Sequence, residues 1–188
     1  MAKSIAEVAL KGLPATLEDL LALDFDGTLT VGAKVTEQVG VVGEKLEIAE
    51  YAKIETAAGE GQVLPYVHRG NRAGVLVALN LEGPQFVTPG RDVAMQVAAM
   101  KPLALSADDV DPETVAKELR VGEAKAIEEG KAPEMAAKIA KGRLNKFFKE
   151  NTLLKQAFVK DSKQSVEGYL KSIDSKLTVT DFKHIKLG

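Results

Sequence analysis

The stretch LALDFDGTLTVG, residues 21–32, holds two aspartates one residue apart, Asp24 and Asp26, followed by Gly27 and Thr28. Two carboxylates so close could serve a phosphoryl transfer as nucleophile and acid. A Mg²⁺ and the backbone N–H groups of the loop would hold the phosphate between them. Asp108 and Asp109, in SADDV, could add an acidic metal-binding pair. This chemistry makes a structural demand. Asp24 must stand at the carboxyl end of a central parallel strand, with strands and helices alternating after it.

The elements around Asp24 point elsewhere. Thr16, followed three places later by Asp19, resembles a capping box, and Leu17, Leu20 and Leu21 then share one helical face. The loop is similar to the nucleophile motif of the haloacid-dehalogenase superfamily, a resemblance that implies Asp24 attacking phosphorus and Asp26 protonating the leaving oxygen, but a helix runs into it where that superfamily has a strand. The expectation is therefore a helix-ending turn at Gly27, with Asp108 and Asp109 as acidic residues at a helix start. A Mg²⁺-dependent phosphohydrolase using Asp24 and Asp26 stays as the alternative from the enzyme class. No Gly-rich phosphate loop followed by Lys occurs, no Ser nucleophile elbow and no paired His on a helix. His68 has no carboxylate at useful spacing and reads as a polar residue at a hairpin tip. Lys138, Lys141, Arg143, Lys146 and Lys149 surround Phe147 and Phe148, a run that reads as the solvated face of an amphipathic helix rather than an RNA surface. No catalytic residue, metal ligand or cofactor is expected.

Composition narrows the classes further. The 188 residues suffice for one domain with a small appendage, and 45% hydrophobic with 28% charged residues is ordinary for a soluble chain. Aromatics are only 5%, so Val, Leu, Ile and Ala must build the core. A formal charge of −2 disfavours a broad nucleic-acid footprint, which needs Lys and Arg against phosphates. The absence of Cys removes disulfides, zinc–thiolate sites and thiol nucleophiles. No apolar run approaches a membrane span and the start lacks a signal-peptide stretch, so a cytoplasmic protein is expected.

The pattern along the chain is helical to about residue 43, with Gly40 or Gly43 as the stop. Three strands are expected over 45–81: KLEIAEYAKIE by its alternation, QVLPYVH with Pro65 suiting a sheet edge, and RAGVLVALNL as a strand covered on both faces. HRGNR closes a tight hairpin between the last two. Helices follow in RDVAMQVAAMKP, in DPETVAKELRVGEAKAIEEG and in PEMAAKIAKGRLNKFFKEN, the last two folding back on each other across GKA. KQSVEGYLKS is a further short helix and LTVTDFKHIKLG a closing strand. The class is α+β: an antiparallel sheet of three meander strands plus a C-terminal strand, flanked by helices, with a protruding antiparallel helical hairpin.

Five words occur in order: VVGEKLEI, YVHRGNRAGVLVALN, RDVAMQVAAMKP, EEGKAPEMAAKIAKGRLNKFFKENTLLKQAFVKDSKQSV and LTVTDFKHIKLG. Together, from about GTLTVGAKV to the last residue, they resemble bacterial translation elongation factor Ts, the nucleotide-exchange factor of elongation factor Tu. The resemblance implies a helical segment, residues 1–44, as the remnant of a first core half. Residues 45–188 would be a core subdomain, with the helical hairpin inserted at about 111–150. It also implies a guanine-nucleotide exchange factor that binds the GTPase and promotes GDP release. Such a protein works by binding alone and is no enzyme. Direct nucleic-acid and membrane contacts are not implied, and a homodimer through the hairpin is a further expectation.

On this resemblance, Val42 and Gly43 match an Ile-Gly pair that lies against the GTPase's nucleotide-binding domain. His68 matches a contact histidine at the hairpin tip, while Phe158 and Val159 match a segment near the partner's third domain. Two departures stand out. Nothing resembles the small three-helix module with which the family opens. Its Thr-Asp-Phe-Val wedge survives only as an echo, with Phe86 and Val87 present and Gln85 in place of the aspartate. Gln85 carries no charge to disturb a cation site, and Pro84 and Pro89 predict a stiff loop there. A Tu-binding or dimerising module without exchange activity is the alternative within this class.

Overall fold

Thr16 begins a helix as its spacing to Asp19 predicts. In the computed structural model, which describes residues 1–187, the Asp19 N–H donates to Thr16 Oγ1 at 3.1 Å. The Thr16 N–H returns the bond to Asp19 Oδ2 at 3.0 Å, so two donors that a helix start leaves unpaired are satisfied together. The helix so capped is α2, Leu17–Ala22, between α1, Ala2–Gly12, and α3, Val31–Val42. Ile5, Ala9, Leu20, Val31 and Val35 form their buried core. Gly43 ends α3 with φ 76°, a left-handed conformation that costs a side-chain-bearing residue and that glycine adopts freely.

Chain contacts divide the molecule into two compact units, Met1–Lys53 and Ile54–Gly188. Residues 45–54, whose alternation predicts a first strand, form neither strand nor helix. Leu46, Ile48 and Tyr51 pack instead on the helical cluster of the first unit, and the Tyr51 hydroxyl donates to the Pro14 carbonyl at 3.1 Å. Alternate burial against helices produces the same period of two as a ladder does, which is why this stretch reads as a strand.

The second unit is built on one antiparallel sheet. Strand β1, Gln62–Val67, pairs with β2, Ala73–Leu79, and β2 with the C-terminal strand β5, Val179–Lys186. The α+β class and the antiparallel sheet agree with the sequence pattern. Pro65 lies on β1, an edge strand of the order β1–β2–β5, where its missing N–H breaks no ladder in the sheet centre. Leu64, Val77 and Phe182 align across the three strands and face helix α4, Val87–Met100, whose Val93 and Val97 are fully buried. Pro84 opens a short 3-10 turn into α4 and Pro89 lies in its first turn, so the segment expected as a loop is helical. Proline is tolerated there because first-turn N–H groups have no intrahelical acceptor.

Helices α5, Pro112–Glu128, and α6, Pro133–Asn151, fold back on each other. Their contact is made by small buried residues, Gly122 and Ala126 on α5 with Ala136 and Ala140 on α6. Across the pair, Arg143 Nη2 donates to Glu129 at 2.9 Å and Nη1 to the Gly122 carbonyl at 3.4 Å. A two-stranded ribbon that the pattern did not announce follows: β3, Ala157–Phe158, and β4, Asp161–Ser165, leading into α7, Val166–Ile173.

Candidate partner-binding residues

Asp24 does not sit on a sheet. It lies in the turn between α2 and α3, in an isolated antiparallel bridge with Thr30. Its carboxylate accepts the Gly27 N–H at 2.9 Å, while Asp26 accepts from the Thr28 and Leu29 N–H groups and from Thr28 Oγ1 at 2.7 Å. The Thr28 hydroxyl bond and then these backbone bonds hold the Asp26 carboxyl below the usual carboxylate range. Both aspartates are therefore engaged in shaping a turn. Asp109 is likewise a cap, accepting from the Ser106 N–H and hydroxyl. Among the described residues no group of three or more His, Asp or Glu could hold a metal ion, and no helix is long and apolar enough to cross a membrane.

The residues suggested by resemblance divide into exposed and buried. In the first unit Val42 is 53% exposed at the last position of α3, beside the still more exposed Val41, and Gly43 turns the chain away. In the second unit His68 follows β1 at the hairpin tip, where its N–H donates to the Ala73 carbonyl at 2.9 Å and its carbonyl accepts the Asn71 N–H at 3.0 Å. Its ring Nδ1 lies 3.1 Å from the Tyr66 hydroxyl, and the neighbouring Val67 is exposed. Val159 is 44% exposed on the turn between β3 and β4. Phe86 and Phe158, by contrast, are 5% and 2% exposed and belong to the core under α4. Phe158 stacks on Tyr169, ring centroids 4.1 Å apart.

Two fully buried glutamines escaped sequence reasoning. Gln96 on α4 and Gln156 before β3 hydrogen-bond to each other at 3.1 Å, and Gln96 Oε1 accepts the Val159 N–H at 2.8 Å. The signal was present: Gln96 sits between Val93 and Val97, among residues that share the core-facing side of the helix. One turn earlier Asp92 accepts from Lys160 Nζ at 2.6 Å and from the Tyr169 hydroxyl at 3.0 Å. Burial first, and then Asp92, push the Tyr169 hydroxyl up to about 12.

The accessible members of the set are Val42 and Gly43 in the first unit and His68 and Val159 in the second. A family model described as Elongation factor TS matches residues 1–188. The chain belongs to the elongation factor Ts family. It is 46% identical over 189 residues to Elongation factor Ts of Amoebophilus asiaticus, covering 100% of this chain and 66% of that protein. Elongation factor Ts of Cytophaga hutchinsonii is 45% identical over 188 residues, again 100% of this chain and 66% of the relative. That of Flavobacterium psychrophilum is 46% identical over 171 residues, 91% of this chain and 61% of the relative. The chain thus spans about two-thirds of the length of the curated relatives it matches, 66% for the first two. The Ts match extends to the first residue, earlier than the motifs beginning at GTLTVGAKV, and so it includes Asp24 and Asp26. Those aspartates belong to a Ts fold, and the parallel sheet that a dehalogenase-type site requires does not occur among the described residues.

Proposed function

We propose that this chain binds elongation factor Tu in the cytoplasm and promotes GDP release from it. Membership of the elongation factor Ts family carries the reading. Val42 with Gly43, His68 and Val159 are the side chains and turn offered to the GTPase, since each is accessible and each stands where the chain direction is fixed by a helix end or a hairpin. Phe86 and Phe158 contribute from beneath, by holding α4 and the β3–β4 turn in place. Exchange then needs no bond-making residue. A surface that fits the nucleotide-free GTPase better than the GDP-bound one weakens GDP by the same factor by which GDP weakens the complex.

A second reading has a specific observation behind it. By the sequence resemblance Gln85 matches the position of the family's wedge aspartate, and in the structure the segment is the start of a helix with Phe86 buried. On that reading the chain binds Tu without driving exchange. Release of a fluorescent GDP analogue from purified Tu, measured at saturating chain, separates the two. Accelerated release supports the exchange factor; background release with Tu still captured supports the binder alone.

A further inference from the structure

Helix α4 turns two polar side chains, Asp92 and Gln96, toward the turn that joins β3 to β4. Gln96 is completely buried beside the apolar core and spends both ends of its amide on that turn and the residue leading into it. Its Oε1 accepts the Val159 N–H at 2.8 Å, and its Nε2 donates to the Ala157 carbonyl and to Gln156 Oε1, both at 3.1 Å. Gln156, equally buried, donates in turn to the Glu150 carbonyl at 2.9 Å near the end of α6. Asp92 holds Lys160 at 2.6 Å and the hydroxyl of Tyr169, whose ring covers Phe158. Four consecutive residues, 157–160, are therefore each fixed by a side chain from outside the ribbon. The ribbon's own ladder is two residue pairs with an irregularity between them, too little to define a turn by itself. A buried amide without partners is costly, so Gln96 ties the core's integrity to one geometry of a surface turn.

We infer that Gln96 is a positioning residue for partner recognition. It orders the Val159–Lys160 turn before the partner arrives, so that association does not have to. The inference rests on the reading above that Val159 meets the GTPase.

The test is a double-mutant cycle on the whole chain, with affinity for nucleotide-free Tu as the readout: Gln96→Met, Val159→Ala and both together. Each single change is expected to weaken binding about tenfold. The double variant should be no weaker than Gln96→Met alone, because the valine's contribution depends on the glutamine. Effects that multiply, to roughly a hundredfold, would overturn the inference, since a merely structural Gln96 acts independently of Val159. If Val159→Ala binds Tu like the parent, the contact reading itself fails and the inference falls with it. Should Gln96→Met not fold by circular dichroism, Asp92→Asn, which releases Lys160 from the same turn, takes its place in the cycle with the same two outcomes.

Discussion

Gly122 on α5 lies so near Ala140 on α6 that an added Cβ would stand 3.2 Å from the Ala140 Cα and 3.3 Å from its Cβ. Hairpin packing at backbone distance excludes a branched side chain at this position. Gly122→Val is expected to destabilise the protein by about 1–3 kcal/mol, the usual cost of overpacking. Gly122→Ala gains about 1 kcal/mol of helix propensity against a contact a few tenths of an ångström too tight, and should lie near zero. Urea midpoints measure both; a valine variant as stable as the parent would contradict this packing.

His184 on β5 aligns with Val75 on the core-facing row, and its buried Nε2 has no hydrogen-bond partner among the described residues. Burial first, then the charges of Lys101 and Lys186, hold its pKa below the ordinary 6.5. With the folded value depressed, the unfolded chain takes the proton first. The stabilisation is present above pH 6.5 and is lost as pH falls through the folded value. The parent's denaturation midpoint should decline on acidification more steeply than that of His184→Phe. Parallel declines would rule His184 out as the cause.

At the alkaline end the sign reverses. The Tyr169 hydroxyl is raised from 10.0 to about 12 by burial and by its bond to Asp92. Its stabilising contribution is complete below pH 10.0 and disappears as pH rises through about 12. Tyr169→Phe should flatten the loss of stability in that window, as followed by chemical denaturation at stepped pH. An unchanged profile would mean that the Tyr169 hydroxyl is not held above its ordinary range in solution.

His68 stands at the hairpin tip with its ring Nδ1 3.1 Å from the Tyr66 hydroxyl. Its replacement should leave stability within about 0.5 kcal/mol, as for other surface sites. The expected effect of His68→Ala is on the partner: affinity for Tu falls about tenfold while the thermal midpoint holds. A variant that binds Tu normally removes His68 from the contact set.

What the sequence made legible follows from how local each cause is. The Thr16–Asp19 cap and the edge position of Pro65 depend on a few neighbouring residues and were readable, while the helix stop, expected at Gly40 or Gly43, falls at Gly43. The residues at 46–54 misled because period-two burial says which side chains face inward and not what covers them. Gln96 and Gln156 lie 60 positions apart, and only the folded chain reveals that they share one buried bond. For the proposed partner-binding residues, resemblance supplied the positions, while exposure separated accessible Val42, His68 and Val159 from buried Phe86 and Phe158.

The most direct measurement is the affinity of this chain for elongation factor Tu with and without GDP, alongside the affinity of Tu for GDP with and without the chain. Tighter binding to nucleotide-free Tu is predicted, with GDP weakening the chain by the same factor by which the chain weakens GDP. Equal affinity for the two forms of Tu would contradict the account, because a partner indifferent to the nucleotide cannot release it.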